Sequence, residues 1–197
     1  MNQLTDYIKT YSDQVGADFC DTIIERFNNS KSTYVDKEGL PTFHDLNITQ
    51  KYFDRDPVWI QIQEILQNIL TRVVDKYVND IDCRHDFPQR WTYEQFRMKM
   101  YEPNGRDQFK THVDVGDHSS AIRFLVAFIY LNDVDEGGET SFPKLDYLVP
   151  PKRGQILVFP PTWQYRHAGL PPVSSRKYIV GTYLHYTMNG MTQSILP

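Results

Sequence analysis

Ile122-Arg-Phe-Leu-Val-Ala-Phe-Ile-Tyr-Leu-Asn132, Gly137-Gly-Glu-Thr-Ser-Phe-Pro143, Gln155-Ile-Leu-Val-Phe159 and Tyr178-Ile-Val-Gly-Thr-Tyr-Leu-His-Tyr186 are β-rich runs. Glycine and proline turns set them apart, among them Pro150-Pro-Lys-Arg-Gly154 and the stretch holding Gly169, Pro171 and Pro172. Many short strands with such punctuation predict a double-sheet jelly roll that closes around a pocket at one end. Just before the first run stands His112-Val113-Asp114. His167 lies within the region, and the cationic pair Arg176-Lys177 opens its last strand.

Successive side chains on a strand face opposite ways, so His112 and Asp114 project from one face and can share a metal ion. His167, from a distant strand, would complete a set of two imidazoles and one carboxylate. On one face of an octahedron this set leaves other positions open, which suits an Fe(II) site that must also bind substrate and dioxygen. H-x-D alone is a weak pattern, because its wildcard lets it occur by chance; its weight comes from the ordered motifs around it. His118 sits in a Gly-Asp-His-Ser-Ser loop that suits a surface turn better than a ligand, because metal ligands converge from rigid elements. His44, His85 and His185 carry no site reading.

From about Arg97 to Tyr186 the chain resembles the 2-oxoglutarate and Fe(II)-dependent oxygenases, in particular their prolyl 4-hydroxylase-like branch. The matching stretches, in order, are His112-x-Asp114, Tyr130-Leu-Asn with Gly-Gly-Glu-Thr after it, the Pro-x-x-Gly turn ending at Gly154, and His167-x-x-x-Pro171 leading to Lys177-Tyr178. The resemblance implies a double-stranded β-helix core flanked by helices. It implies Fe(II), 2-oxoglutarate and O2 as cofactor and cosubstrates, with ascorbate a candidate reductant. The implied reaction hydroxylates an unactivated C–H bond while 2-oxoglutarate is decarboxylated to succinate and CO2. His112, Asp114 and His167 would hold the iron, with no catalytic side chain beyond them.

The far carboxylate of 2-oxoglutarate needs a buried cation, since an unpaired carboxylate in a low-dielectric pocket is strongly disfavoured. In this branch that cation is a Lys or Arg beginning the last strand, which leaves Lys177 and Arg176 as rivals. Neighbours on a strand face opposite ways, so only one can point inward. Lys177 is preferred; it would bring Ile179, Gly181 and Tyr183 to the pocket wall, the small Gly181 leaving room beside the cosubstrate. Arg176 inward would present the bulkier Tyr178, Val180, Thr182 and Leu184 instead.

By the same resemblance Tyr130 matches a phenol that bonds the far carboxylate, and Tyr101 a second pocket tyrosine. Tyrosines on β-rich segments are also ordinary packing residues. Arg123 aligns with a substrate-facing residue of some relatives or is a solvated strand-end arginine, and Trp163 borders the substrate entrance or caps the core. Residues 102–110, with Pro103-Asn104-Gly105, are either a hairpin connection or a lid. The favoured substrate is a prolyl residue in a peptide or protein, with a free amino acid or another side chain as the alternative. A nucleic-acid demethylase of the same superfamily would carry two arginines after the distal histidine, and past Arg176 there is no further one. A cupin-like metal isomerase would need no cation at the start of the last strand. A non-catalytic binding module is the reading from a different class.

The 197-residue chain is read as one domain, 1–197, with residues 1–90 a mainly helical support region and 91–190 the jelly-roll core. Its net charge of −4 attracts no phosphate backbone, so no nucleic-acid partner is expected. Cys20 and Cys83 form no C-x-x-C, which argues against a disulfide framework or zinc ribbon and for a reducing compartment. The N-terminus shows no secretory signal and no run reaches membrane-spanning length, so a cytoplasmic protein without membrane contact is expected. Leu4, Tyr7, Ile8 and Tyr11 recur at helical spacing, and so do Phe19, Cys20, Ile23, Ile24 and Phe27, with a break at Gly16. Residues 28–54, carrying Gly39 and Pro41, read as irregular or β-edge. Asp56-Pro57 starts a helix whose stripe from Trp59 through Leu66, Leu70 and Val74 to Val78 would pack across the outer face of the major sheet.

Overall fold

The computed structural model describes residues 3–38 and 41–187, so Gly39 and the end of the expected core beyond 187 lie outside the described residues. In chain order there is a 3₁₀ turn at Leu4–Tyr7, then β1 (Lys9–Tyr11), α1 (Ala17–Asn28), β2 (Thr33–Asp36), β3 (Thr42–Asn47), α2 (Ile48–Phe53) and α3 (Pro57–Asp80). There follow β4 (Trp91–Tyr93), β5 (Arg97–Tyr101), β6 (Phe109–His112), β7 (Arg123–Tyr130), β8 (Thr140–Phe142), β9 (Tyr147–Val149) and β10 (Ile156–Phe159). A 3₁₀ turn at Trp163–Tyr165, β11 (His167–Gly169) and β12 (Lys177–Tyr186) complete the described chain.

Two antiparallel sheets result. The major one runs β1-β10-β7-β12-β5-β3-β2, with β4 pairing the far half of β12, and the minor one runs β6-β11-β8-β9. This is the expected mainly-β jelly roll. Alternation along β12 explains how one strand serves two environments. Tyr178, Val180 and Leu184 enter the core that α3 covers with Trp59, Leu66, Leu70 and Val74, while Lys177, Ile179, Gly181 and Tyr183 line a pocket between the sheets. Gly181 is there for a different reason than expected: a Cβ would collide with the Cβ of Phe128 and the carbonyl oxygen of Ala127 on β7. The close approach of two strands, not room for a ligand, requires glycine.

Asp56 caps α3, its carboxylate accepting from the N–H groups of Val58 and Trp59, with Pro57 in the first turn. The apolar stripe of α3 lies on the outer face of the major sheet, and each fully buried aliphatic chain there contributes roughly 1.5–3 kcal/mol. A second cluster, with Val126, Tyr130, Phe142, Leu157 and Phe159, fills the space between the sheets. Gly154 ends its turn at φ +73°, with the Val15 carbonyl oxygen where a Cβ would stand.

One expectation for the first ninety residues needs correction. The helical spacing of Leu4, Tyr7, Ile8 and Tyr11 yields only the 3₁₀ turn; Lys9–Tyr11 is a strand that covers the edge of β10. Ile8 and Tyr11 then enter different cores, which a single helical face could not do. Besides its helices the region contributes β1, β2 and β3 to the major sheet, β2 and β3 lying at one edge in the stretch 28–54 read as irregular or β-edge.

Candidate functional site

His112 ends β6, His167 begins β11, and the two are directly paired across the minor sheet. Opposed residues share a face, which brings the ring centroids to 4.4 Å. Asp114 lies past the end of β6, its N–H donating to the Pro161 carbonyl at 3.2 Å, so a loop rather than strand alternation delivers the carboxylate. One ligand atom from each of His112, Asp114 and His167 lies within 4.8 Å of the others.

The backbone fixes both imidazoles. Nδ1 of His112 is 2.7 Å from the Lys110 carbonyl oxygen and Nδ1 of His167 is 3.0 Å from that of Tyr165. A carbonyl only accepts, so each Nδ1 donates and each Nε2 faces Asp114, at 3.3 Å from Oδ1 and 3.4 Å from Oδ2 respectively. Such a cluster is repulsive unless a proton or a metal cation sits within it. Burial pushes the His167 pKa down to about 4, so this ring is neutral near pH 7. Oδ2 of Asp114 is buried without a hydrogen-bond partner among the described residues. Burial opposes the Asp114 charge, yet the hydrogen bond from His112, the electrostatic pull of the two imidazoles and the Tyr183 hydroxyl hold its carboxyl well below the usual range. These residues fit a divalent metal.

Polar braces surround the triad. The Tyr183 hydroxyl donates to Oδ1 of Asp114 at 2.8 Å, and Phe109 stacks on the His112 ring at 3.7 Å. Arg123 donates to the Asp114 carbonyl at 3.0 Å and through two more N–H groups to both Glu94 oxygens at 2.7 Å, while lying over the Tyr183 ring. Arg123 is therefore not a solvated strand-end arginine. It lines the pocket with its guanidinium already committed to a carboxylate. Glu94, in the break between β4 and β5, also meets Nε2 of His185 at 2.8 Å.

Lys177 stands elsewhere in the same pocket of about 580 Å³. The side chain is 2 % exposed and makes no hydrogen bond or ion pair with a described residue. Its Nζ lies 5.4 Å from the Tyr101 ring and 5.6 Å from the Tyr130 ring. Burial pushes its pKa down to about 7, against the support of the more distant Glu139. The Tyr130 hydroxyl donates to Thr140 at 2.7 Å, and burial raises the pKa of both tyrosines. Arg176 points outward and pairs with Glu102 at 2.9 Å. Of the two rivals, Lys177 is the one that faces the pocket.

Trp163 is 69 % exposed on its 3₁₀ turn, so it does not cap the core. Residues 102–108 connect the two sheets rather than forming a hairpin. Wholly buried Asp107 fastens them, accepting from Tyr34, Asn104 and the Glu102 N–H. Sequence reasoning passed over Glu94, Phe109, Thr140 and Lys99 as site residues. Period-two alternation back from Tyr101 would have placed Lys99 in the pocket; Glu94, in a strand break, carried no such signal.

Residues 96–185 match the family model described as the 2OG-Fe(II) oxygenase superfamily. The chain is 26% identical over 155 residues to prolyl 4-hydroxylase subunit alpha-1 of Gallus gallus, a match covering 70% of this chain and 28% of that protein. It thus spans under a third of that relative's length. Among solved structures, a viral collagen prolyl hydroxylase from Paramecium bursaria Chlorella virus-1, in its 2OG complex, superposes with a TM-score of 0.63 at 19% identity, covering 92% of this chain and 97% of that one. A Pseudomonas putida prolyl-4-hydroxylase gives 0.64 at 14% identity, with 91% and 93% covered. A Trichoplax adhaerens prolyl hydroxylase, in complex with a hypoxia inducible factor oxygen degradation domain peptide fragment, gives 0.65 at 15% identity, with 92% and 84% covered. At these identities the structural likeness speaks for the fold. Among the described residues no helix is long and apolar enough to cross a membrane.

Proposed function

We propose that the chain is a member of the 2OG-Fe(II) oxygenase superfamily, an Fe(II)- and 2-oxoglutarate-dependent hydroxylase of an unactivated C–H bond, in the favoured case one on a prolyl residue of a peptide or protein. The observation that carries this reading is the meeting, in one pocket, of a His-Asp-His donor set and a buried lysine that forms no ion pair with a described residue. His112, Asp114 and His167 would hold the iron, and Lys177 would receive the far carboxylate of 2-oxoglutarate beside Tyr101 and Tyr130. When bound, iron, 2-oxoglutarate and dioxygen supply the oxidant for hydroxylation, with succinate and CO2 as coproducts.

What the chain itself contributes is orientation and dryness. The Lys110 and Tyr165 carbonyls keep both Nε2 atoms aimed inward, and Tyr183 and Arg123 hold Asp114 from two sides. Such outer partners tune metal sites by 10–100-fold or so. Val126, Phe128 and Ile179 give the pocket apolar walls that exclude water. The likeness to prolyl 4-hydroxylases supports the choice of a prolyl residue. Free thiols at Cys20 and Cys83 support a reducing, cytoplasmic site of action; ascorbate as reductant rests on the family resemblance alone.

The test is oxygen-dependent conversion of 2-oxoglutarate to succinate with Fe(II), alongside mass spectrometry of proline-containing peptides. Succinate formation that disappears in His167→Ala, with one oxygen atom gained by a prolyl peptide and none by its alanine counterpart, is expected. Succinate with oxygen gained only by non-prolyl substrates would move the reading to another side chain or a free amino acid.

A further inference from the structure

Lys99 on β5 is a second pocket cation. It lies two residues before Tyr101 and therefore on the same face, across from Asp45 on β3 and Ile179 on β12. Its Nζ sits over two rings, 5.1 Å from the centroid of Phe43 and 5.3 Å from that of Phe109. Phe109 is also the ring stacked on His112, so one ring meets both this ammonium and a metal-ligand candidate. Lys99 makes no hydrogen bond or ion pair with any described residue.

Every acid near Lys99 is committed elsewhere. Asp45 accepts two hydrogen bonds from Arg97, at 3.2 and 2.5 Å. Glu94 is taken by Arg123 and His185. Asp114 is turned to the two imidazoles and Tyr183. Burial pushes the Lys99 pKa below its ordinary value, the direction that an arriving anion would reverse. On the reading above, 2-oxoglutarate brings two carboxylates, one for Lys177 and one for the metal. A third anion is then needed to match Lys99, and the flat faces of Phe43 and Phe109 would seat the carbon skeleton that carries it.

We propose that Lys99 receives a carboxylate of the substrate, so that the attacked C–H bond belongs to an acidic molecule. The carboxylate is either that of a free small acid or one close to the attacked carbon in a peptide. This rests on the oxygenase reading, and the experiment separates the two. The anaerobic Fe(II)–2-oxoglutarate complex has a visible absorption band that responds to occupancy of the substrate site. Two matched probe pairs are titrated against it: N-acetyl-L-proline with its amide, and acetyl-Glu-Pro-amide with acetyl-Gln-Pro-amide.

The acidic member of one pair should perturb the band at concentrations at least about tenfold lower than its neutral partner, the size expected of one charge-assisted contact. A preference in the first pair identifies a free acid and in the second a peptide carboxylate. Lys99→Met should erase the preference while the 2-oxoglutarate midpoint moves by less than about threefold, and Lys99→Arg should retain it. The proposal is overturned if the wild type prefers neither acid or responds to no probe, or if Lys99→Met keeps the preference. It is equally overturned if Lys99→Met weakens 2-oxoglutarate as much as Lys177→Met does, since Lys99 would then serve the cosubstrate. Absence of the band in the wild type would overturn the oxygenase reading itself, and the proposal with it.

Discussion

At the triad end of the pocket, hydrogen bonds place the donor atoms: two backbone carbonyls aim the imidazoles, and Tyr183 and Arg123 fix the loop-borne Asp114. At the Lys177 end no described residue hydrogen-bonds or ion-pairs with the ammonium; the strand pairing of β12 between β5 and β7 buries it among aromatic rings. The contrast teaches what each end is prepared for. A braced donor set is preorganised and tolerates little misalignment. A desolvated cation stores an electrostatic cost that an arriving anion relieves, so selectivity for charge follows from burial alone.

The harshest way to break the comparison is to remove the carboxylate of the triad. Asp114→Ala should reduce turnover by more than about a thousandfold and leave the purified protein without stoichiometric iron by metal analysis, because two imidazoles alone hold Fe(II) poorly. Next is the lysine end. Lys177→Met should raise the 2-oxoglutarate midpoint about 100-fold, as expected for losing one partner of a buried charge pair. Arg176→Met, on the outward face, should change it less than about twofold by the same titration. Equal effects of the two would refute the assignment of the inward cation.

The pH dependence sharpens the same contrast. Lys177 titrates near 7 in the ligand-free fold and near its ordinary value of 10.5 when unfolded. Between those values the unfolded chain holds more protons, so ligand-free stability rises with pH from about 7 towards 10.5 and is lost as pH falls back through 7. Binding an anion needs the protonated amine, so 2-oxoglutarate affinity should fall by up to about tenfold per pH unit above 7, and Lys177→Met should flatten that slope. At the braced end, Tyr183→Phe should weaken iron affinity by about tenfold while the 2-oxoglutarate midpoint at saturating iron barely moves. The smallest effect is expected for exposed Trp163, whose replacement by alanine should alter unfolding free energy by less than about 0.5 kcal/mol in urea titrations.

Much of this was legible in the chain because strand periodicity carries it. Turn-punctuated β runs announced the jelly roll, and alternation along Lys177 to Tyr183 put the correct face inward. Asp56-Pro57 marked the start of α3 where it begins. What stayed hidden depends on contacts between distant residues. Leu4 to Tyr11 mimics a helical face until the β10 edge claims Lys9–Tyr11. Gly181 looked like ligand space, whereas the backbone of β7 sets it. Glu94 becomes a brace only when β4 and β5 flank a break opposite Arg123, and Asp107 fastens its loop through Tyr34, 73 residues away.

The most direct measurement adds Fe(II) and 2-oxoglutarate to metal-free protein under anaerobic conditions and records the visible spectrum. A charge-transfer band that is absent in His112→Ala and needs about 100-fold more 2-oxoglutarate in Lys177→Met is the predicted result. No band from folded wild-type protein, or a band indifferent to both substitutions, would contradict the joining of these two ends into one cofactor site.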